Sequence, residues 1–119
     1  MVITSGAKTA VDSAAMGIKT ICCGGEMAED TFSYIGADAE AMLERYNADI
    51  AFFSCRGVSD DGFLTDIAPD ENNVRKQMIK RSKKSYLLCA TEKFGKGYFH
   101  NLCHNLAFRT VEDGLLFLG

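Results

Sequence analysis

The sequence predicts an α/β domain built on a mostly parallel open sheet with flanking helices. Three observations predict it. Short apolar runs alternate with stretches of helical spacing from one end of the chain to the other. The runs at 18–22, 50–53 and 86–89 each lead into glycine-rich or polar turns, as parallel strands do before a crossover. The stretch 70–84 has Pro69, Asp70 and Glu71 at its start and Lys80, Arg81, Lys83 and Lys84 at its end, the charge order that suits a helix macrodipole.

The elements follow in order. Val2-Ile3 ends a first strand, and Ser5 stands where it would cap the helix expected near 7–16. Ala7, Ala10, Val11 and Ala14 form its apolar stripe, and Gly17 supplies the stop. The second strand closes on Gly24-Gly25. A polar loop from Glu26 to Ser33 passes through Tyr34-Ile35-Gly36 into a helix near 37–47, with Ala39, Met42, Leu43 and Tyr46 on one face. Asp49 to Ser54 is the third strand. The glycine- and acid-rich stretch from Gly57 to Asp66 reads as its loop. Tyr86 to Cys89 is the fourth strand, and Val111 to Leu118 holds a fifth. Right-handed crossovers join such strands. Residues 1–119 read as one domain, without internal repeat or linker.

Composition narrows the classes. Formal net charge is -3, so no global positive field recruits nucleic acid. No apolar run reaches the ~18 residues of a membrane helix, and the expectation is no membrane contact. Five cysteines, with Cys22 beside Cys23, cannot all pair within one chain and fit the reducing cytoplasm.

In a parallel sheet the turns after the second, third and fourth strands share one edge. Gly25, Gly57, Asp61 and Lys93 are therefore expected to border one cleft for a small anionic ligand. Lys93, between Thr91 and Gly95, is the best single candidate to hold a phosphate there, with a solvated surface lysine as the alternative reading. His100, Cys103 and His104 are ligand types that zinc accepts, yet no second ligand pair accompanies them, so neither a metal nor a cofactor is expected. Arg75, Lys76, Lys80, Arg81, Lys83 and Lys84 hold six of the thirteen basic residues and read as a solvated helix face. Asp60, Asp61, Asp66 and Glu92 lie near the ligand edge, but none is singled out as a catalytic base.

Taken in order, the segments resemble the effector-sensing domain of DeoR-family bacterial transcription regulators. The resemblance rests on Val2-Ile3-Thr4, Gly24-Gly25-Glu26, Ser33-Tyr34-Ile35-Gly36, Gly57-Val58-Ser59, Asp61-Gly62-Phe63-Leu64-Thr65-Asp66, Lys76 with Met78, and Leu87-Leu88-Cys89 with Lys93-Phe94-Gly95-Lys96. It implies a fold similar to that of ribose-5-phosphate isomerases and sugar-phosphate deaminases. It also implies a phosphorylated sugar or related metabolite as effector, contacted by Thr4, Ser5, Gly25, Gly36, Gly57, Asp61 and Lys93. Family members bind operator DNA through a helix-turn-helix domain outside this segment, so direct DNA contact by these residues is not expected. The chain departs from the family pattern at Ser5, at Ala90-Thr91-Glu92, in an apparent insertion from Asn105 to Arg109, and in lacking the family's first β-α unit. It thus reads as an excised segment or a shortened reading frame. The open flank of Val2-Ile3, with the stripe on the first helix, predicts a homo-oligomer. A sensor of a repressor is the favoured reading. A small sugar-phosphate isomerase or deaminase is the alternative and requires a base set against substrate.

Overall fold

The computed structural model describes residues 1–104 and the backbones of strands 109–112 and 115–117. The described chain is mixed α/β with parallel strand pairs in open sheets, as the alternating pattern requires. It separates into two compact units, Met1–Tyr46 and Asn47–Gly119.

In the first unit, β1 (Val2–Thr4) and β2 (Thr20–Cys22) pair in parallel through the crossover helix α1 (Ala7–Ala15). Gly17, at φ 79, ends the helix in the left-handed region, as expected of a glycine there. Ser5 does not cap α1. Gly6 is the N-cap, and the Ser5 carbonyl instead accepts the Tyr34 amide at 2.7 Å. No side chain of α1 is buried, and Val11 is 68% exposed. The stretch expected as a polar loop is a hairpin of β3 (Glu26–Ala28) and β4 (Ser33–Ile35). Gly36 caps α2 (Ala37–Leu43), which stops short of residue 47 and buries Ala39 and Leu43.

In the second unit, β5 (Ala48–Phe53), β8 (Ser82–Cys89) and β10 (Arg109–Glu112) are parallel, and β11 (Leu115–Phe117) is antiparallel at the edge. The sheet order is β11-β10-β8-β5. The strand expected from Val111 to Leu118 thus starts earlier, and Asp113, Gly114 and Leu118 lie outside the described residues, as do positions 105–108 of the expected insertion. The parallel strands expected in one sheet pair in two groups, β1 with β2 and β5 with β8 and β10.

Helix α3 (Pro69–Lys80) starts at Pro69 as predicted but ends four residues early. The reason is the alternation that follows: Ser85, Leu87 and Cys89 are buried while Lys83, Lys84 and Leu88 are exposed, a strand pattern that claims Lys83 and Lys84 for β8. The Ser82 hydroxyl closes the helix by donating to the Met78 carbonyl at 2.6 Å. Only Lys80 then sits in the last turn.

The stretch expected as a loop after the third strand is also ordered. β6 (Gly57–Val58), β7 (Phe63–Asp66) and β9 (His100–His104) form a small antiparallel sheet. Phe53, Cys55, Val58, Leu64, Leu87, Cys89 and Leu102 make the core, against which Ile79 of α3 packs. Two of them, Leu64 and Leu87, are almost wholly inaccessible.

Candidate functional site

Four expected effector residues come together in the first unit, where β1 ends and α2 begins. The Thr4 carbonyl accepts the Cys23 amide at 3.1 Å, and the Thr4 hydroxyl accepts the Gly6 amide at 3.1 Å. Tyr34 ties β4 to Ser5, and Ser33 bridges Gly6. Gly25 presses one side against the Ile35 carbonyl oxygen and Ala39, where a Cβ would lie 2.9 and 3.1 Å away, while its other side is open. Its φ of 108 and the 94 of Gly36 both demand glycine. Beside these turns, Phe32 adopts φ 54, a left-handed conformation costing on the order of 1–2 kcal/mol for a residue with a Cβ.

The second unit holds Gly57, Asp61 and Lys93. Lys93 ends the 3-10 turn Thr91–Lys93 after β8 and donates from Nζ to the Cys55 carbonyl at 3.0 Å, just beyond the end of β5. Gly57 is buried beneath the Lys96 carbonyl and the Tyr98 ring, so close packing explains the glycine. That covering segment is strapped down. The amides of Gly95 and Lys96 both donate to the Val58 carbonyl, and the Tyr98 amide donates to Thr65 Oγ1. Asp61 is exposed on the turn between β6 and β7, where its carboxylate accepts the Ser59 hydroxyl. These three residues and the four of the first unit form two groups, one in each unit.

A polar network went unrecognised in the sequence. Asp66, only 4% exposed, accepts Arg75 at 3.0 Å and the Ile67 amide at 2.7 Å, with Arg56 at 3.6 Å. Burial pushes its carboxyl up, but the Ile67 and Ala68 amides and the Arg75 guanidinium outweigh that and hold it below the ordinary value. Arg75 also donates to Asn72 Oδ1, and Asn72 Nδ2 meets His100 Nδ1 at 2.9 Å. Arg75 is therefore no part of a solvated basic face, and Asp66 anchors the start of α3. The available signal was the spacing of Asp66 and Arg75, one strand end and two helical turns apart. Arg56 was overlooked as well. Half-exposed, it lies over the Tyr98 ring at 5.8 Å and adds a cation directly before Gly57.

His100, Cys103 and His104 sit on β9 rather than in a ligand loop; His100 faces Asn72, and His104 stacks edge-on against Phe63. Among the described residues no group of His, Cys, Asp or Glu gathers as a metal site does. Burial pushes the Cys23 thiol up to about 11 and raises those of Cys55 and Cys103, which keeps them protonated and poorly nucleophilic. No helix among the described residues is long and apolar enough to cross a membrane.

The HTH-type transcriptional regulator IolR of Bacillus subtilis is 36% identical over 84 residues, covering 71% of this chain and 34% of its own length. The uncharacterized HTH-type transcriptional regulator YulB of Bacillus subtilis is 31% identical over 102 residues, 85% of this chain and 40% of its own. The lactose phosphotransferase system repressor of Staphylococcus aureus is 34% identical over 80 residues, 67% of this chain and 32% of its own. The chain thus spans between 32% and 40% of the length of these relatives. The family model of the DeoR C-terminal sensor domain matches residues 1–111, across both units. The chain belongs to the DeoR C-terminal sensor domain family, the ligand-sensing part of transcriptional regulators.

Proposed function

We propose that the chain is the sensing domain of a bacterial transcriptional repressor whose effector is a phosphorylated sugar, bound and released without turnover. The observation that carries this reading is Lys93, an ammonium held at the C-terminal ends of parallel strands β5 and β8 by the Cys55 carbonyl. Anions are bound at this edge of open α/β sheets. A relative named for a lactose phosphotransferase system supports a sugar-derived effector. Thr4, Ser5, Gly25 and Gly36 are offered as effector contacts in the first unit, and Gly57, Asp61 and Lys93 in the second. Binding rather than catalysis fits the carboxylates, since Asp66 is held by Arg75 and Asp61 by Ser59.

Effector binding would act through different affinities for two conformations of the intact regulator. Operator contact belongs to a helix-turn-helix outside these residues, which fits the net charge of -3. We place the protein in the cytoplasm, where its thiols stay reduced, and expect it to self-associate. Among the described strands β1 pairs only with β2, and an edge strand of this kind can template pairing with a second copy.

The test is K93Q, which keeps a donor for the Cys55 carbonyl and removes the charge. Affinity for phosphorylated sugars should fall about tenfold or more, with little change in Tm. Unchanged affinity in calorimetry overturns the role of Lys93. Conversion of ribose 5-phosphate or glucosamine 6-phosphate to product by the unchanged chain overturns sensing without turnover.

A further inference from the structure

We propose that Phe32 is an effector-contacting residue, its ring stacking on the C–H face of the sugar. This rests on the sensing reading above. Phe32 is the one non-glycine residue with positive φ among those described, and its side chain gains little from packing, being 61% exposed. Glycine would hold the turn at no steric cost. The backbone is fixed on both sides, because the Phe32 amide donates to the Ala28 carbonyl and its own carbonyl accepts the Ala7 amide, each at 2.9 Å. The next residue, Ser33, bridges Gly6, and Tyr34 is tied to Ser5.

The tip of the β3–β4 hairpin is thereby secured beside the end of β1 and the first turn of α1, next to Thr4 and Ser5. Glu29, Asp30 and Thr31, the other residues of the tip, are polar and exposed, so Phe32 is its apolar surface. A strained backbone that presents an aromatic ring to solvent beside the C-terminal end of β1 has the character of a ligand clamp. Sugar sites pair such an apolar face with a few polar groups that set orientation.

The substitution F32G separates this role from a structural one, because it removes the ring and relieves the backbone together. In the 119-residue chain, Tm should stay level or rise. Calorimetry against a panel of hexose 6-phosphates and pentose 5-phosphates should show affinity falling about tenfold. Binding of inorganic phosphate, which has no face to stack, should not change, and F32Y should bind as the unchanged chain does. Unaltered sugar-phosphate affinity in F32G overturns the inference and leaves the sensing reading standing. A clear fall in Tm overturns it too, since the ring then serves packing. So does a loss of self-association at unaltered affinity, which would make Phe32 an interface residue. If the unchanged chain binds no member of the panel, the sensing reading fails and takes this inference with it.

Discussion

Replacing Gly57 with alanine should unfold the second unit far more readily, by about 2–3 kcal/mol. The added Cβ would overlap the Lys96 carbonyl oxygen and come within 2.7 Å of Tyr98 Cε2. The first obstacle is backbone and cannot rotate away. Lys96 is pinned to Val58, and the Tyr98 amide donates to Thr65 Oγ1, which in turn donates to the Gly57 carbonyl at 3.0 Å. Making room therefore means lifting the 94–98 segment and breaking the Thr65 relay in the interior, where Thr65 is 2% exposed. Urea unfolding followed by circular dichroism measures the loss. A midpoint indistinguishable from that of the unchanged protein would mean that this segment is not held as described.

Asp66→Asn should cost about 3 kcal/mol, because it removes the buried anion that holds the partly buried Arg75 guanidinium. The cost should also depend on pH. The native carboxyl lies below its ordinary value, so its contribution is complete above the unfolded-state value of about 3.9 and disappears as pH falls through the native one. The stability difference between the unchanged protein and D66N should hold steady near neutrality and shrink below about pH 4. A difference that stays constant down to pH 3 would show that the ion pair does not carry the effect.

These two sites mark where the sequence was legible and where it was not. Periodicity and punctuation located α1, α2 and α3 and the parallel strands, because burial on one face leaves a repeating imprint. They failed at 57–66, where glycines and aspartates suggested loop while Leu64 and Thr65 were buried in β7 by pairing with β9, more than thirty residues away. Non-local pairing of that kind leaves no local period. They also misplaced the end of α3, since Lys83 and Lys84 suit a helix terminus and an exposed strand face equally well. The glycines of positive φ, and the place of Lys93 in the turn after the fourth strand, could be read from residue type and position. The extension of the Asp66–Arg75 pair through Asn72 to His100 could not, because His100 meets Asn72 only once α3 packs beside β9.

The claim that this domain senses a phosphorylated sugar meets its most direct test in thermal unfolding. The 119-residue chain would be scanned against a panel of phosphorylated sugars, each beside its dephosphorylated counterpart. Mass action raises Tm only for compounds that bind the folded state. The account predicts a saturable rise for at least one phosphorylated sugar, none for its dephosphorylated counterpart, and a much smaller rise in K93Q. No rise across the panel, or an equal rise with and without the phosphate, would contradict it.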